Sequence, residues 1–210
     1  MYKFLENKTV ALVGPAASIS RTGNGEYIDQ HDFVARLNYA NITSVNDCGS
    51  RTDIIYYDGS YHDYRFCNPT VLICSYPETE WFFESRCRTN VQFFKNKYDH
   101  YVVDSGLYKS LKTSLNEDNK VRPNSGTIAI ADLLTTKLSR LYITGIDFYR
   151  TSYLTTHPDY GSKTLEEVKD VFRRGDNGDY HDVDIQFEYF KSHLLKDPRI
   201  ELDDFLKSII

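Results

Sequence analysis

Apolar residues in this chain fall into short, almost continuous runs, each closed by a glycine, an amide, an acid or another turn residue. "KTVALVG" (8–14), "FVARLN" (33–38), "TDIIYYD" (52–58), "PTVLICSYP" (69–77), "HYVVDS" (100–105) and "RLYITGI" (140–146) are six such runs. Runs of this length, rich in β-branched and aromatic residues, predict short buried strands. Within 33–38, Phe33, Ala35 and Leu37 alternate with Val34 and Arg36, and the strand ends on Asn38. A different period governs "SGTIAIADLLTTKL" (125–138), where Ile128, Ala131, Leu134 and Leu138 recur at helical spacing after a Ser/Gly start. Phe187, Phe190 and Leu194 repeat the helical pattern after "GDYHDVD". Strands alternating with helices predict an α/β fold: a single Rossmann-like domain over 1–210, its sheet mostly parallel with helices on both faces. Ligands of such sheets bind outside the carboxyl ends of the strands, so chemistry is expected in the loops after Gly14, Asn38, Asp58, Asp104 and Gly145. Two polar stretches read as loops, 113–124 as a mobile one and 150–164 as a lid or binding loop carrying Tyr153, His157 and Tyr160.

Charge and cysteine content narrow the partners. The formal net charge of -5 over 210 residues argues against holding duplex nucleic acid by phosphate neutralisation, although a local basic groove is compatible with an acidic total. Cys48, Cys67, Cys74 and Cys87 form no C-x-x-C pair and read as free thiols. No apolar run reaches the roughly 18 residues of a membrane span, and "MYKFLENKTV" lacks a signal-peptide core. A soluble, cytoplasmic protein is expected, and the wealth of Lys, Ile, Tyr and Asn suits an AT-rich microbial or viral genome.

Three segments carry candidate chemistry. "VGPAASIS" (13–20) follows the first strand as a phosphate-binding turn does, without matching either glycine-rich fingerprint; Gly14, Ala16 and Ala17 permit close backbone approach and Ser18 offers a hydroxyl. The segment reads equally as a tight turn with no ligand. "RPNSG" places Asn124, Ser125 and Gly126 at a helix start, which either attracts an anion or simply caps the helix with Ser125. In "GDYHDVDIQ", His181 precedes a helix whose dipole disfavours the imidazolium, which suits a general base as well as an inert helix-start residue. Asp182-Val183-Asp184 matches a D-x-D metal pair formally, but two acids at a helix start need no metal to explain them. No metal site is expected.

Taken together, these segments resemble the eukaryotic-type sialyltransferases, glycosyltransferase family 29. The family's large motif runs from a strand and glycine turn to "G-x-x-I-D-x-H-D-x-V-x-R-x-N-x-A". Here "GEYIDQHDFVARLNYA" matches at Ile28, Asp29, His31, Asp32, Val34, Arg36, Asn38 and Ala40. Gly49, Arg51 and Thr52 resemble the segment that follows it. Pro123, Ser125, Gly126 and "LYITGID" resemble the small motif, His157 and Tyr160 the third, and "HDVDIQ" the very small one. The resemblance covers about residues 8–190.

The resemblance implies a GT-A-like sialyltransferase variant that is inverting, metal-independent and free of other cofactors. It implies a CMP-activated sugar as donor and a glycan or other hydroxyl as acceptor. Asn38 would contact the CMP moiety while the "IDQHD" turn fixes entry into its strand. Asn124, Ser125 and Gly126 would hold ribose or phosphate. Gly14, Ala16, Ser18, Gly145, Asp147 and Tyr160 would complete the donor site. His181 would be the general base, and His157 would assist the leaving phosphate.

Departures from the family pattern are equally specific. Val10 and the region of Thr136 or Lys137 stand where the family carries a disulfide, the first turn reads Gly14-Pro15-Ala16-Ala17 in place of G-N-S-G, and Gln186 replaces a glutamate, which leaves open what orients His181. The stem, the anchor and some acceptor-binding insertions of Golgi members are expected to be absent. Two alternatives stay open. One keeps the fold and transfers Kdo or a pentose to a bacterial glycan or a modified base in phage DNA, a nucleic-acid acceptor. The other is a non-catalytic nucleotide-sugar binder, motivated by Gln186.

Overall fold

The computed structural model describes residues 2–39, 42–60, 63–64, 67–80, 83, 87–116, 120–174 and 180–210. Ala40 of the large motif lies outside them. Strands β1 (Thr9–Val13), β2 (Phe33–Leu37), β3 (Ile54–Tyr57), β4 (Val71–Cys74), β5 (Asp99–Val102), β6 (Arg140–Thr144) and β7 (Ile200–Leu202) form one sheet in the order β5-β4-β3-β2-β1-β6-β7. Every neighbouring pair is parallel. Helices α1 (Gly25–Asp29), α2 (Val45–Cys48), α3 (Arg88–Lys95), α4 (Ser105–Leu115), α5 (Ser125–Leu134), α6 (Leu165–Arg174), α7 (Val183–Ser192) and α8 (Asp204–Ile209) flank or connect these strands.

Continuous apolar runs become central strands because both faces are covered. β3 and β4 are buried throughout, whereas the edge strand β5 alternates exposed and half-buried residues. The alternation in β2 separates two cores. Phe33, Ala35 and Leu37 join the larger cluster with α5 and α7, and Val34 joins a smaller one with Ile19, Ile28, Tyr142 and Leu154.

Strand succession runs outward from β1 to β5, then jumps back so that β6 pairs with β1 on its other side. That reversal opens a crevice at the carboxyl ends of β1 and β6. Close approach of the chains leaving them requires glycine: a Cβ on Gly14 would lie 2.2 Å from the Gly145 carbonyl oxygen, and Gly145 itself has φ +65°.

Three expectations change. The helix at 125–138 ends at Leu134, where the Thr135 and Thr136 hydroxyls donate to the carbonyls of Asp132 and Leu133; Leu138 is buried from the following turn. Residues 113–115 are the last part of α4, and 117–119 of that expected loop lie outside the described residues. β7 and α8 carry too short a pattern to be read from sequence. The 150–164 loop holds no helix or strand, as expected, and all four cysteines are free thiols. Among the described residues, no helix is long and apolar enough to cross a membrane.

Candidate active site

The acids and the arginine of the large motif, and Arg51 of the segment after it, bind mostly backbone. Asp29 accepts from the Ser50 amide and hydroxyl and from the Arg51 amide, and Asp32 accepts from the Thr9 amide at 2.8 Å, the Thr9 hydroxyl and Lys8. Burial works to raise the Asp29 carboxyl, but the Ser50 and Arg51 bonds outweigh it and hold it below its ordinary value. Exposed Asp32 is held down to about 2, first by the Thr9 amide. Arg51 reaches back to the carbonyls of Asp29, His31 and Asp32 and to Asp53. Arg36, only 2% exposed, donates to the carbonyls of Cys48 and Arg51 and to Thr52. His31 stacks on Tyr142, and its Nδ1 meets the Tyr27 carbonyl at 2.9 Å.

These clamps fix where β2 and β3 begin. Asn38 takes φ +49° and donates its amide to Tyr56 at 2.7 Å. Its side-chain oxygen is buried with no hydrogen-bond partner among the described residues, on the wall of a cavity of about 320 Å³. An acceptor left in this way inside a cavity of ligand size is a binding feature. The cavity lies over the crevice between β1 and β6 and collects the ends of β1, β2, β3, β4 and β6.

Most sequence-predicted site residues meet there. Ala16, Asn38, Asn124, Ser125, Gly126, Gly145, Asp147, His157, Tyr160 and His181 all line the cavity. Gly14 and Ser18 do not, and Gly14 serves the β1 to β6 approach. The first turn also offers less to an anion than its position suggests: the amides of Ala16, Ala17 and Ser18 are bound to Gly145, Ser152 and Thr151. Asp147 turns its carboxylate onto the amides of Arg150 and Thr151 and the Thr151 hydroxyl, bracing the start of the 150–164 loop. Burial raises its carboxyl against these bonds.

The start of α5 is the candidate anion-binding feature. Its cap is Asn124 and not Ser125, because the Asn124 side chain accepts from the Thr127 amide at 2.8 Å. Gly126 keeps the wall low, since a Cβ there would press on Ile146 at 3.2 Å. Ser125 and Gly126, whose amides belong to the positive end of the helix, line the cavity. Gln186, fully buried, holds this helix start in place. Its Oε1 accepts from the Asn124 amide at 2.8 Å and the Thr127 hydroxyl at 3.0 Å, and its Nε2 donates to the Asp182 carbonyl at 3.1 Å.

His181 is oriented by backbone. Its Nδ1–H donates to the Arg122 carbonyl at 2.7 Å, which leaves the Nε2 lone pair as the basic site. Its own amide donates to Phe172 of α6 at 3.2 Å. His157 has the opposite tautomer. The amides of Asp159 and Tyr160 donate to its Nδ1, at 3.3 Å each, so the proton resides on Nε2. Aromatic rings connect the two histidines: His157 contacts Tyr160, Tyr160 contacts Phe172, and Phe172 stands edge-on to His181, with centroids 5.1, 5.5 and 5.5 Å apart.

Asp182 and Asp184 hold the start of α7, the first as its cap and the second paired with Arg150 at 2.8 Å. No cluster of three or more potential metal ligands occurs among the described residues.

Sequence reasoning passed over several lining residues, including Tyr39, Asp58, Tyr76, Arg122 and Tyr149. Phe148 and Tyr149 both have left-handed backbone, φ +51° and +61°, in the turn after Asp147. Strain of that kind clusters at functional sites, but no residue type in "GIDFYR" announces it.

Fold and cavity define a Rossmann-type parallel sheet with a ligand-sized crevice at the carboxyl ends of its strands, and comparison with known proteins makes the fold more particular. Residues 5–77 match the family model described as Glycosyltransferase family 29 (sialyltransferase). Comparison with curated protein sequences finds none that matches. Among solved structures, a mammalian sialyltransferase is similar over 93% of this chain and 68% of its own, at 15% identity and TM-score 0.58. The sialyltransferase CstII from Campylobacter jejuni in complex with CMP-3FNeuAc is similar over 97% of this chain and 89% of its own, at 17% identity and TM-score 0.54. An apo α-2,3-sialyltransferase from the same organism is 18% identical over 97% of this chain and 78% of its own, at TM-score 0.56. The fold is therefore the GT-A-like, Rossmann-type fold of sialyltransferases.

Proposed function

We propose that residues 1–210 form one cytoplasmic glycosyltransferase unit that passes a sugar from a CMP-activated donor to an acceptor hydroxyl, with inversion and without a metal. The observation that carries this reading is the pair of opposed tautomers on one cavity: a proton acceptor at His181 Nε2 and a proton donor at His157 Nε2, with the α5 start on the same wall. Asn38, Asn124, Ser125 and Gly126 are the donor contacts. His181 takes the proton of the acceptor hydroxyl as its oxygen bonds to the anomeric carbon, and the bond from that carbon to the phosphate oxygen breaks. Charge gathering on the departing CMP is met by the Ser125 and Gly126 amides, by His157 Nε2–H and by the phenols of Tyr149 and Tyr160. Asp182 and Asp184 are already committed to a cap and an ion pair, which favours metal independence.

The main reason to consider a non-catalytic binder weakens here, because the Arg122 carbonyl, not residue 186, orients His181. Transfer of Kdo or a pentose uses the same machinery and stays within the proposal. A thermal-shift panel tests the donor class. CMP and CDP, each at about 100 times its dissociation constant, should add about 2.7 kcal/mol of stability. UMP, UDP, GDP and NAD should add less, and equal stabilisation by UDP would sink the assignment.

A further inference from the structure

The 150–164 loop is secured differently at its two ends. Its base is stitched to the turn after β1, where Ala17 donates to Ser152 and Leu154 to Pro15, both at 2.8 Å. Its far part, residues 157–161, meets Tyr39, the residue after Asn38. The Tyr39 hydroxyl donates to Asp159 Oδ2 at 2.6 Å, and the Tyr39 ring stands edge-on to His157 with centroids 5.1 Å apart. The same Asp159 supplies one of the two amides that fix His157 as the Nε2–H tautomer. One residue therefore joins the strand end that carries Asn38 to the histidine opposite.

We infer that Tyr39 is a positioning residue: it ties the 150–164 loop to the end of β2 and holds His157 in place, so that donor binding and loop closure are coupled. The inference rests on the CMP-donor reading above for its second half only. Closure places His157 Nε2–H and the Tyr160 ring on the cavity wall, and opening removes both at once. Tyr39 touches no reacting atom in this scheme and acts through Asp159 and His157.

Tyr39→Phe keeps the ring against His157 and removes only the hydroxyl. A hydrogen bond to a charged acceptor is worth about tenfold or more in the closed-to-open equilibrium. Hydrogen exchange of the peptide spanning 157–163 should therefore quicken about tenfold in Tyr39→Phe and Asp159→Ala, while β1 and β6 peptides keep their protection. Asp159→Asn, which retains an acceptor oxygen, should stay within about threefold of the wild type. The CMP dissociation constant should rise about tenfold in Tyr39→Phe, and Tyr39→Phe placed in a His157→Ala background should weaken CMP no further.

Unchanged exchange in Tyr39→Phe overturns the tie. Faster exchange with unchanged CMP affinity, or a full additional loss in the His157→Ala background, overturns the positioning role and leaves a structural contact. If the wild-type protein takes up no CMP, the donor reading falls and the coupling with it, while the exchange result still decides the tie.

Discussion

The two ends of the sheet are built on different principles. At the amino end, where the chain enters β1, β2 and β3, saturated clamps hold it: Arg36 and Arg51 bind carbonyls, and Asp29 and Asp32 bind amides. At the carboxyl end the 150–164 loop, α6 and the residue before α7 meet at the cavity through ring contacts and through hydrogen bonds that orient two histidines. One end resists movement, and the other presents proton-transfer groups. Damage to the first should therefore appear in stability, and damage to the second in rate.

The largest effect belongs to the cavity end. His181→Ala should lower turnover by about 10² to 10⁴, the usual worth of a positioned general base, with CMP binding nearly unchanged in calorimetry. His157→Ala should weaken both binding and rate, because the phosphate it meets is present before and during bond breaking. Wild-type turnover in His181→Ala with the true acceptor sinks the assignment. Neither change should shift the urea midpoint much.

Arg36→Met tests the clamped end. The substitution fills part of the volume but abandons the Cys48 and Arg51 carbonyls and the Thr52 hydroxyl in a buried setting. Each abandoned buried acceptor costs about 1–3 kcal/mol, so a loss of at least about 3 kcal/mol is expected in urea unfolding. A loss below 1 kcal/mol would show that the loop after α2 stands without the clamp.

Gln186→Glu tests the joint between the starts of α5 and α7. Read from sequence as the family glutamate that is missing, residue 186 invites restoration to raise the basicity of His181. Its hydrogen bonds go elsewhere: Oε1 is occupied by Asn124 and Thr127, and a carboxylate would turn its second oxygen onto the Asp182 carbonyl, where the amide now donates. The expected result is a destabilisation of about 1–3 kcal/mol at pH 7, smaller at pH 5 as the new carboxyl takes up a proton, with no gain in turnover. Higher turnover at unchanged stability would contradict this placement.

How much of this was legible in the sequence follows the same division. Five of the six strands and α5 were readable because central parallel strands bury both faces and α5 carries an apolar repeat, whereas the edge strand β5 showed only its β-rich residues. Asn38, Ser125 and His181 were readable because each closes a strand or opens a helix. Asn124 as the cap, the Arg122 carbonyl behind His181 and the Tyr39 to Asp159 bond were not, since backbone acceptors and contacts between residues 120 positions apart leave no local pattern. The amides of Ala16 and Ala17 mislead for the same reason: small residues after β1 suggest an open cradle, but their partners come from the distant residues Gly145 and Ser152.

The smallest expected effect separates an exposed clamp from a buried core group by the sign of a pH slope. Asp32, at the clamped end, has its carboxyl held down to about 2, chiefly by the Thr9 amide, so the stability it contributes is complete above its unfolded value near 4 and is lost as pH falls toward 2. Asp132, buried in the last part of α5, is shifted the opposite way: burial raises its carboxyl even though Tyr56 donates to it at 2.7 Å. Its contribution is complete below pH 4 and is lost as pH rises through the raised value. Denaturant unfolding of wild type, Asp32→Asn and Asp132→Asn from pH 2 to 7 reads both slopes without depending on the fixed offset each substitution brings. The stability of wild type relative to Asp32→Asn should grow from pH 2 to 4 and then level off. Relative to Asp132→Asn it should fall above pH 4. Slopes of the same sign in both comparisons would mean that the clamped and the buried carboxylate are not held in opposite ways.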